Sequence, residues 1–185
     1  MPDARTVVLV EGRSDAGAVS ELARCAGRDL DAEGVAVLPM AGATNIRHCL
    51  AAFGVQGRGL RVVGLCDVAE TRFFVEGLRR TGYGDPTPED LPGLGFQICV
   101  KDLEDELIRA LGVPVIEEIL AAEGHLSSFR TFQRQPAQAG RPDTARLRRF
   151  FGSGSGRKIH YGPVLVRALG VERSPAPLKA LLDSL

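Results

Sequence analysis

Two carboxylates four residues apart mark one junction of the sequence: Glu11 closes the apolar run Thr6–Val10, and Asp15 follows in "EGRSD". The arrangement recurs. Asp67 closes a second apolar run in "VVGLCDVAE", with Glu70 three residues on, and "KDLEDE" puts Asp102 and Glu104 just after a third. A carboxylate leaving an apolar strand starts poorly solvated, and like charges brought together repel each other. A cation among them offsets both costs. The donors are all oxygen and none is histidine, which suits Mg²⁺ or Mn²⁺ better than Zn²⁺. Any one of these acids also suits an ordinary structural role. Asp15, Glu70 and Asp102 each stand where a helix N-cap or first turn is expected, and a carboxylate is favoured there. Asp105 and Glu106 are expected on the solvent-facing side of a helix.

The elements that position these acids can be read from apolar periodicity. Thr6–Val10, Val35–Leu38, Arg61–Cys66 and Phe96–Val100 are short apolar runs without alternation, as in parallel strands covered on both faces. Helical spacing fills the intervals over Asp15–Ala26, a segment carrying Ile46, Cys49, Leu50 and Phe53, and Glu70–Arg80. Gly27 and Gly54 act as stops. This βαβαβαβ order predicts a doubly wound parallel sheet of about four strands flanked by helices. Ligands of such sheets bind outside the carboxyl ends of the strands, and acids after three strands fall on that edge.

"TGYGDPTPEDLPGLG" reads as a surface loop. After the fourth strand only helices are expected: Leu103–Leu111, Pro114–Glu123, Asp143–Phe151, His160–Leu169 and a short one near Pro177. "RTFQRQPAQAGRPD" reads as irregular. One domain is expected over 1–185, with an α/β core over 1–106 and a helical C-terminal part over 107–185.

The formal net charge is zero but unevenly spread. Residues 1–106 hold 11 Lys/Arg against 17 Asp/Glu, and residues 107–185 hold 12 against 6, which suits a cation site beside a phosphate-binding face. Solvated surface charge of no function gives the same asymmetry. No apolar run is long enough to span a membrane. No secretory pattern is seen at the N-terminus, and Cys25, Cys49, Cys66 and Cys99 form no CxxC pair. Buried free thiols and a cytoplasmic location are expected.

The basic half contains "SGSGRKIHYG". Its order differs from GxxxxGK[ST], because Arg157 separates Gly156 from Lys158 and Ile159 follows the lysine, so it is no phosphate-binding Walker loop. Either it is a solvated turn, or Lys158 reaches a phosphate and stabilises developing negative charge. Arg157, with Arg146, Arg148 and Arg149 before it, is suited to nucleic-acid backbone contacts. Gly42, in "PMAGATN", is suited to close approach of the backbone to a phosphate. His160 and Tyr161 are expected to be structural, and no role is assigned to His48 or His125.

The blocks "VVLVEGRSDAGAVSELA", "VLPMAGATNI", "GLCDVAE", "KDLEDELIRALG" and "RKIHYGPVLVRALG", in this order, resemble the Toprim domain of the overcoming-lysogenisation-defect (OLD) family of nucleases. The resemblance implies a Toprim-type Rossmann-like fold and a metal-dependent endonuclease acting on DNA. It implies Glu11 and Asp67 on one ion and mainly Asp15, Asp102 and Glu104 on another, with Lys158 as the catalytic cation. Two ions roughly 3.5–4 Å apart suit phosphodiester hydrolysis, one orienting water and the other stabilising the leaving oxygen. One departure stands out. Many Toprim domains carry DxD after the third strand; here Asp67 is followed by Val68 and Ala69. Glu70 either replaces the missing acid or only opens its helix. Known OLD proteins pair this domain with an ATPase; this chain carries no Walker motif, so the options are that it acts alone, with an ATPase partner, as a homo-oligomer, or as a reduced descendant. A non-catalytic module that binds metal or nucleic acid and regulates such a partner is the alternative; nucleotidyl transfer is a third option.

Overall fold

In the computed structural model, residues 4–154 and 156–185 are described. Ser155, within the expected Gly-Ser turn, lies outside them. The strands are β1 (Thr6–Val10), β2 (Val35–Pro39), β3 (Arg61–Asp67) and β4 (Phe96–Cys99), all parallel, in the order β2-β1-β3-β4. All five residues of β1 are buried, as a continuous, mostly β-branched run between two helical layers requires. Successive side chains point to opposite faces, so Val8 and Val10 enter one core while Val7 and Leu9 enter the other.

The first core lies under α1 (Arg13–Cys25), which contributes Ala18 and Leu22. The second lies under α2 (Ile46–Phe53) and α3 (Thr71–Arg80). There Phe74 meets Phe96 edge to face at 5.5 Å between centroids, a geometry that adds about 0.5–1.5 kcal/mol to simple burial. The chain runs from β1 outward to β2 and then returns to β3 on the other side of β1. The order therefore reverses between β1 and β3, and the crevice of the sheet opens where Glu11 and Asp67 emerge. Gly64 is required at that pairing: a Cβ on it would stand 2.2 Å from the Leu9 carbonyl oxygen.

The C-terminal helices are α4 (Leu103–Leu111), α5 (Val113–Ala122), α6 (Leu126–Gln133), α7 (Asp143–Gly152), α8 (Arg157–Arg173) and α9 (Ala176–Asp183). Leu107 and Ile108 of α4 and Tyr161, Leu165 and Val166 of α8 join the α1 core. Helices α1 and α8 approach closely because glycines face the partner on both. A Cβ at Gly162 would lie 2.8 Å from the Ser14 carbonyl oxygen, and one at Gly17 would lie 2.9 Å from the Pro163 ring. This approach carries the first turn of α8 to the acidic edge of the sheet.

Some expectations need correction. The stretch Arg130–Asp143 is not irregular throughout, because α6 runs to Gln133. Phe129 and Phe132 anchor that helix on Phe150, at 5.1 and 5.6 Å between centroids, which outweighs the polar composition. Helix α8 is longer than expected at both ends and keeps Pro163 inside it, with a break in helical geometry at Gly170 (φ 64°). The loop between α3 and β4 contains a 3₁₀ turn, Pro88–Asp90, and is pinned by Leu91, which is fully buried. All four cysteines are free; Cys66 and Cys99 are buried, whereas Cys25 and Cys49 are only half-buried.

Candidate metal centre

Asp67 is the last residue of β3, and the chain turns directly into a 3₁₀ turn, Val68–Glu70. The Thr71 hydroxyl donates to the Val68 carbonyl at 3.0 Å and holds that turn. It folds Glu70 back, so that carboxylate oxygens of Glu11, Asp67 and Glu70 all lie within 4.8 Å of one another. Glu70 Oε2 is buried and accepts no hydrogen bond from the described residues. Burial, then Asp102, Glu11, Glu70 and Asp15, push the Asp67 carboxyl up to about 7. Burial, then Glu11 and Asp15, also raise Glu70. The half-buried carboxyls of Asp67 and Glu70, beside the exposed carboxyl of Glu11 and with one orphaned oxygen, form a donor set that could hold a metal ion, and oxygen donors of this kind suit hard cations such as Mg²⁺ or Mn²⁺. Glu70, rather than an acid at position 69, completes the group.

The other three acids stand differently. Asp15, at the third position of α1, accepts the Gly12 backbone N–H at 2.9 Å, so the capping role is realised. Burial raises its pKa; the Gly12 N–H and Lys158 oppose the shift, and Glu11 and Asp102 reinforce it. Asp102 caps α4: its Oδ1 accepts the Asp105 N–H at 2.7 Å. Its Oδ2 accepts both Nε (2.7 Å) and Nη2 of Arg148. Glu104 faces Lys158, with Oε2 3.6 Å from Nζ, yet burial still lifts its carboxyl to about 7. Burial alone pulls the Lys158 ammonium down, but Glu104, Asp15, Asp102 and Glu11 outweigh it and hold its pKa above the ordinary value. The lysine backbone is fixed too, since the Ser14 hydroxyl donates to the Lys158 carbonyl at 2.9 Å.

Asp105 and Glu106 contradict the solvent-facing expectation, because both are buried. Asp105 accepts from Lys101 at 3.1 Å and from Arg109 at 2.8 Å. Glu106 accepts the Val100 N–H at 2.9 Å and pairs with Arg109 at 2.7 Å. They tie α4 to the segment leaving β4 and so fix Asp102 and Glu104.

The arginines expected at nucleic acid are mostly engaged within the protein. Arg157 lies over the Phe150 ring at 4.0 Å and donates to the Phe150 carbonyl at 2.8 Å. Arg146 pairs with Asp143 at 2.9 Å and donates to the Gln138 carbonyl. Arg148 holds Asp102. Arg149 is exposed, with no ion pair among the described residues. His160 pairs with Glu123 and His125 with the buried Tyr161 hydroxyl, both at 2.7 Å, which are structural roles.

Gly42 takes φ 116°, its N–H donates to the Glu11 carbonyl at 3.2 Å, and a Cβ there would meet nothing within 4 Å. Glu11, Asp15, Gly42 and Lys158 together line an open cleft of about 360 Å³. Three large apolar side chains missed by the sequence reading are exposed in these segments: Val68 after β3, Val100 after β4 and Ile159 beside Lys158. Their exposure depends on where three strand and helix ends meet, which no local pattern reports.

Residues 4–68, which include Glu11, Asp15 and Asp67, match the family "Overcoming lysogenization defect protein-like, TOPRIM domain". No curated protein matches the sequence. The fold is that of two solved regions. The C-terminal region of the Burkholderia pseudomallei OLD protein is 19% identical, with a TM-score of 0.73 over 97% of this chain and 96% of that one. The C-terminal region of the Xanthomonas campestris pv. campestris OLD protein is 20% identical, with a TM-score of 0.71 over 97% and 93%. The chain thus has a Toprim-type α/β fold with a helical C-terminal part resembling these regions.

Proposed function

We propose that this Toprim-type chain is a Mg²⁺- or Mn²⁺-dependent nuclease module that hydrolyses phosphodiester bonds in DNA. The observation that carries the reading is the convergence of Glu11, Asp67 and Glu70 in the crevice between β1 and β3, with Glu11 also lining the cleft that holds Lys158. Glu11, Asp67 and Glu70 would hold one ion; the family resemblance would assign Asp15, Asp102 and Glu104 to a second. Such ions, when bound, neutralise the phosphate and make water a better nucleophile at neutral pH.

The chain's own residues do the rest. Lys158 Nζ donates to a non-bridging phosphate oxygen and stabilises charge that develops as the bond to the leaving oxygen breaks. Glu104 Oε2 keeps that ammonium aimed at the cleft, and the Ser14 bond fixes its backbone. Gly42 leaves space for a sugar-phosphate chain opposite Glu11. Of the four arginines singled out in the sequence, Arg149 is the one without an ion pair or ring contact among the described residues, and it would meet the backbone, which positions the strand without reading its sequence. No helix among the described residues is long and apolar enough to cross a membrane. A cytoplasmic site of action, and assembly with an ATPase or with further copies of the chain, belong to the same proposal.

A second reading, a non-catalytic metal- or nucleic-acid-binding module that regulates a partner, is favoured by Ala69, which stands where many Toprim domains have their second acid. Supercoiled plasmid incubated with the purified chain and Mg²⁺ or Mn²⁺ separates the two. Nicking that is lost in Asp67→Ala and Lys158→Ala supports the nuclease. Cleavage unchanged in Asp67→Ala refutes it, and metal binding without cleavage favours the module.

A further inference from the structure

The six acids divide by what already neutralises them. Glu11, Asp67 and Glu70 have no cationic side chain bonded to them among the described residues, and Glu70 Oε2 is buried without a partner. Asp102 is gripped through two guanidinium nitrogens of Arg148, and Glu104 faces the Lys158 ammonium at 3.6 Å. Asp15 is satisfied in part by the Gly12 N–H. A divalent ion entering the first group finds vacant lone pairs. One entering the second must displace a fork-shaped guanidinium from Asp102 and approach an ammonium, at a cost in lost charge-assisted hydrogen bonds and in repulsion.

We propose that the centre holds one divalent ion tightly, between Glu11, Asp67 and Glu70, and that Arg148 and Lys158 serve as resident cations where a second ion would sit. Arg148 is then a gate on the second site: it fixes Asp102 and must swing away before that carboxylate can coordinate. Its side chain is 46% exposed, so it has solvent to move into. The inference rests on the metal-dependent reading above but departs from two ions bound alike.

The test is a Mn²⁺ titration of the full chain without DNA, followed by electron paramagnetic resonance. One tightly bound Mn²⁺ per chain is expected, with the six-line spectrum of an isolated ion. Arg148→Gln, at an exposed position, should tighten a second ion by roughly tenfold or more and give the broadened spectrum of a coupled pair. Arg148→Lys, which keeps a cation, should stay closer to the single-ion behaviour. Glu70→Gln, which removes a charged ligand, should weaken the first ion by roughly tenfold or more, since even outer-shell changes around a metal reach that scale. Two ions of comparable affinity in the unmodified chain, or an unchanged second site in Arg148→Gln, overturn the proposal. If plasmid is still cleaved in that case, the nuclease reading survives. No bound Mn²⁺ at all overturns the proposal, and it overturns the nuclease reading as well when plasmid is also left uncut.

Discussion

Asp67→Asn should stabilise the protein when a chelator keeps metal away. Burial, with Asp102, Glu11, Glu70 and Asp15, lifts this carboxyl from 3.8 to about 7. A carboxyl whose pKa is higher in the folded than in the unfolded chain favours folding in its protonated form. Its contribution is therefore best below pH 3.8 and is lost as the pH climbs to about 7. Roughly three pKa units at about 1.4 kcal/mol each set a ceiling of about 4 kcal/mol. Four acids share the repulsion and solvent reaches the half-buried group, which brings the expectation down to about 1–2 kcal/mol. Asparagine keeps the shape and removes the charge. For a chain of this size about 1 kcal/mol moves Tm by roughly 2–4 °C, so the variant should melt about 2–8 °C higher at pH 8. At pH 4 the two proteins should melt nearly together. Circular dichroism melting in chelator at both pH values is the assay. An Asn variant that melts at or below the unmodified protein at pH 8, or that shows the same increment at both pH values, refutes the idea of uncompensated charge.

Gly162→Ala puts a methyl 2.8 Å from the Ser14 carbonyl oxygen, so it should cost about 1–3 kcal/mol in a denaturant titration and lower cleavage by shifting Lys158. Arg157→Ala should cost about 1–2 kcal/mol of stability through the lost Phe150 contacts, while DNA affinity measured by fluorescence anisotropy changes little. Burial pushes the Cys66 thiol up to about 12 and also raises Cys99, so in the native protein a thiol reagent should label both far more slowly than it does after unfolding.

The strands and the position of the acids were legible because both are local. β-Branched runs such as Thr6–Val10 mark a covered parallel strand, and an acid that ends such a run must emerge at the sheet edge. Leu103–Leu111 was readable for the same reason, from apolar spacing and a capping aspartate. The division of the acids was not readable. It depends on Arg148 meeting Asp102 from 46 residues away and on Ser14 meeting Lys158 from 144 residues away. Asp105 and Glu106 look like solvated charges in sequence, and only Lys101, Arg109 and the Val100 N–H, assembled around α4, let them be buried. Arg157 similarly looks like a phosphate ligand until Phe150 is placed under it. Glu70 was readable as a candidate, but the 3₁₀ turn that brings it to Glu11 was not.

The claim that these acids form a metal centre is tested most directly by a crystal soaked in Mn²⁺ and measured for anomalous scattering. A peak is expected between the carboxylates of Glu11 and Asp67, with Glu70 in its coordination shell. The absence of a peak there, or a peak coordinated only by acids outside the crevice between β1 and β3, would contradict that claim.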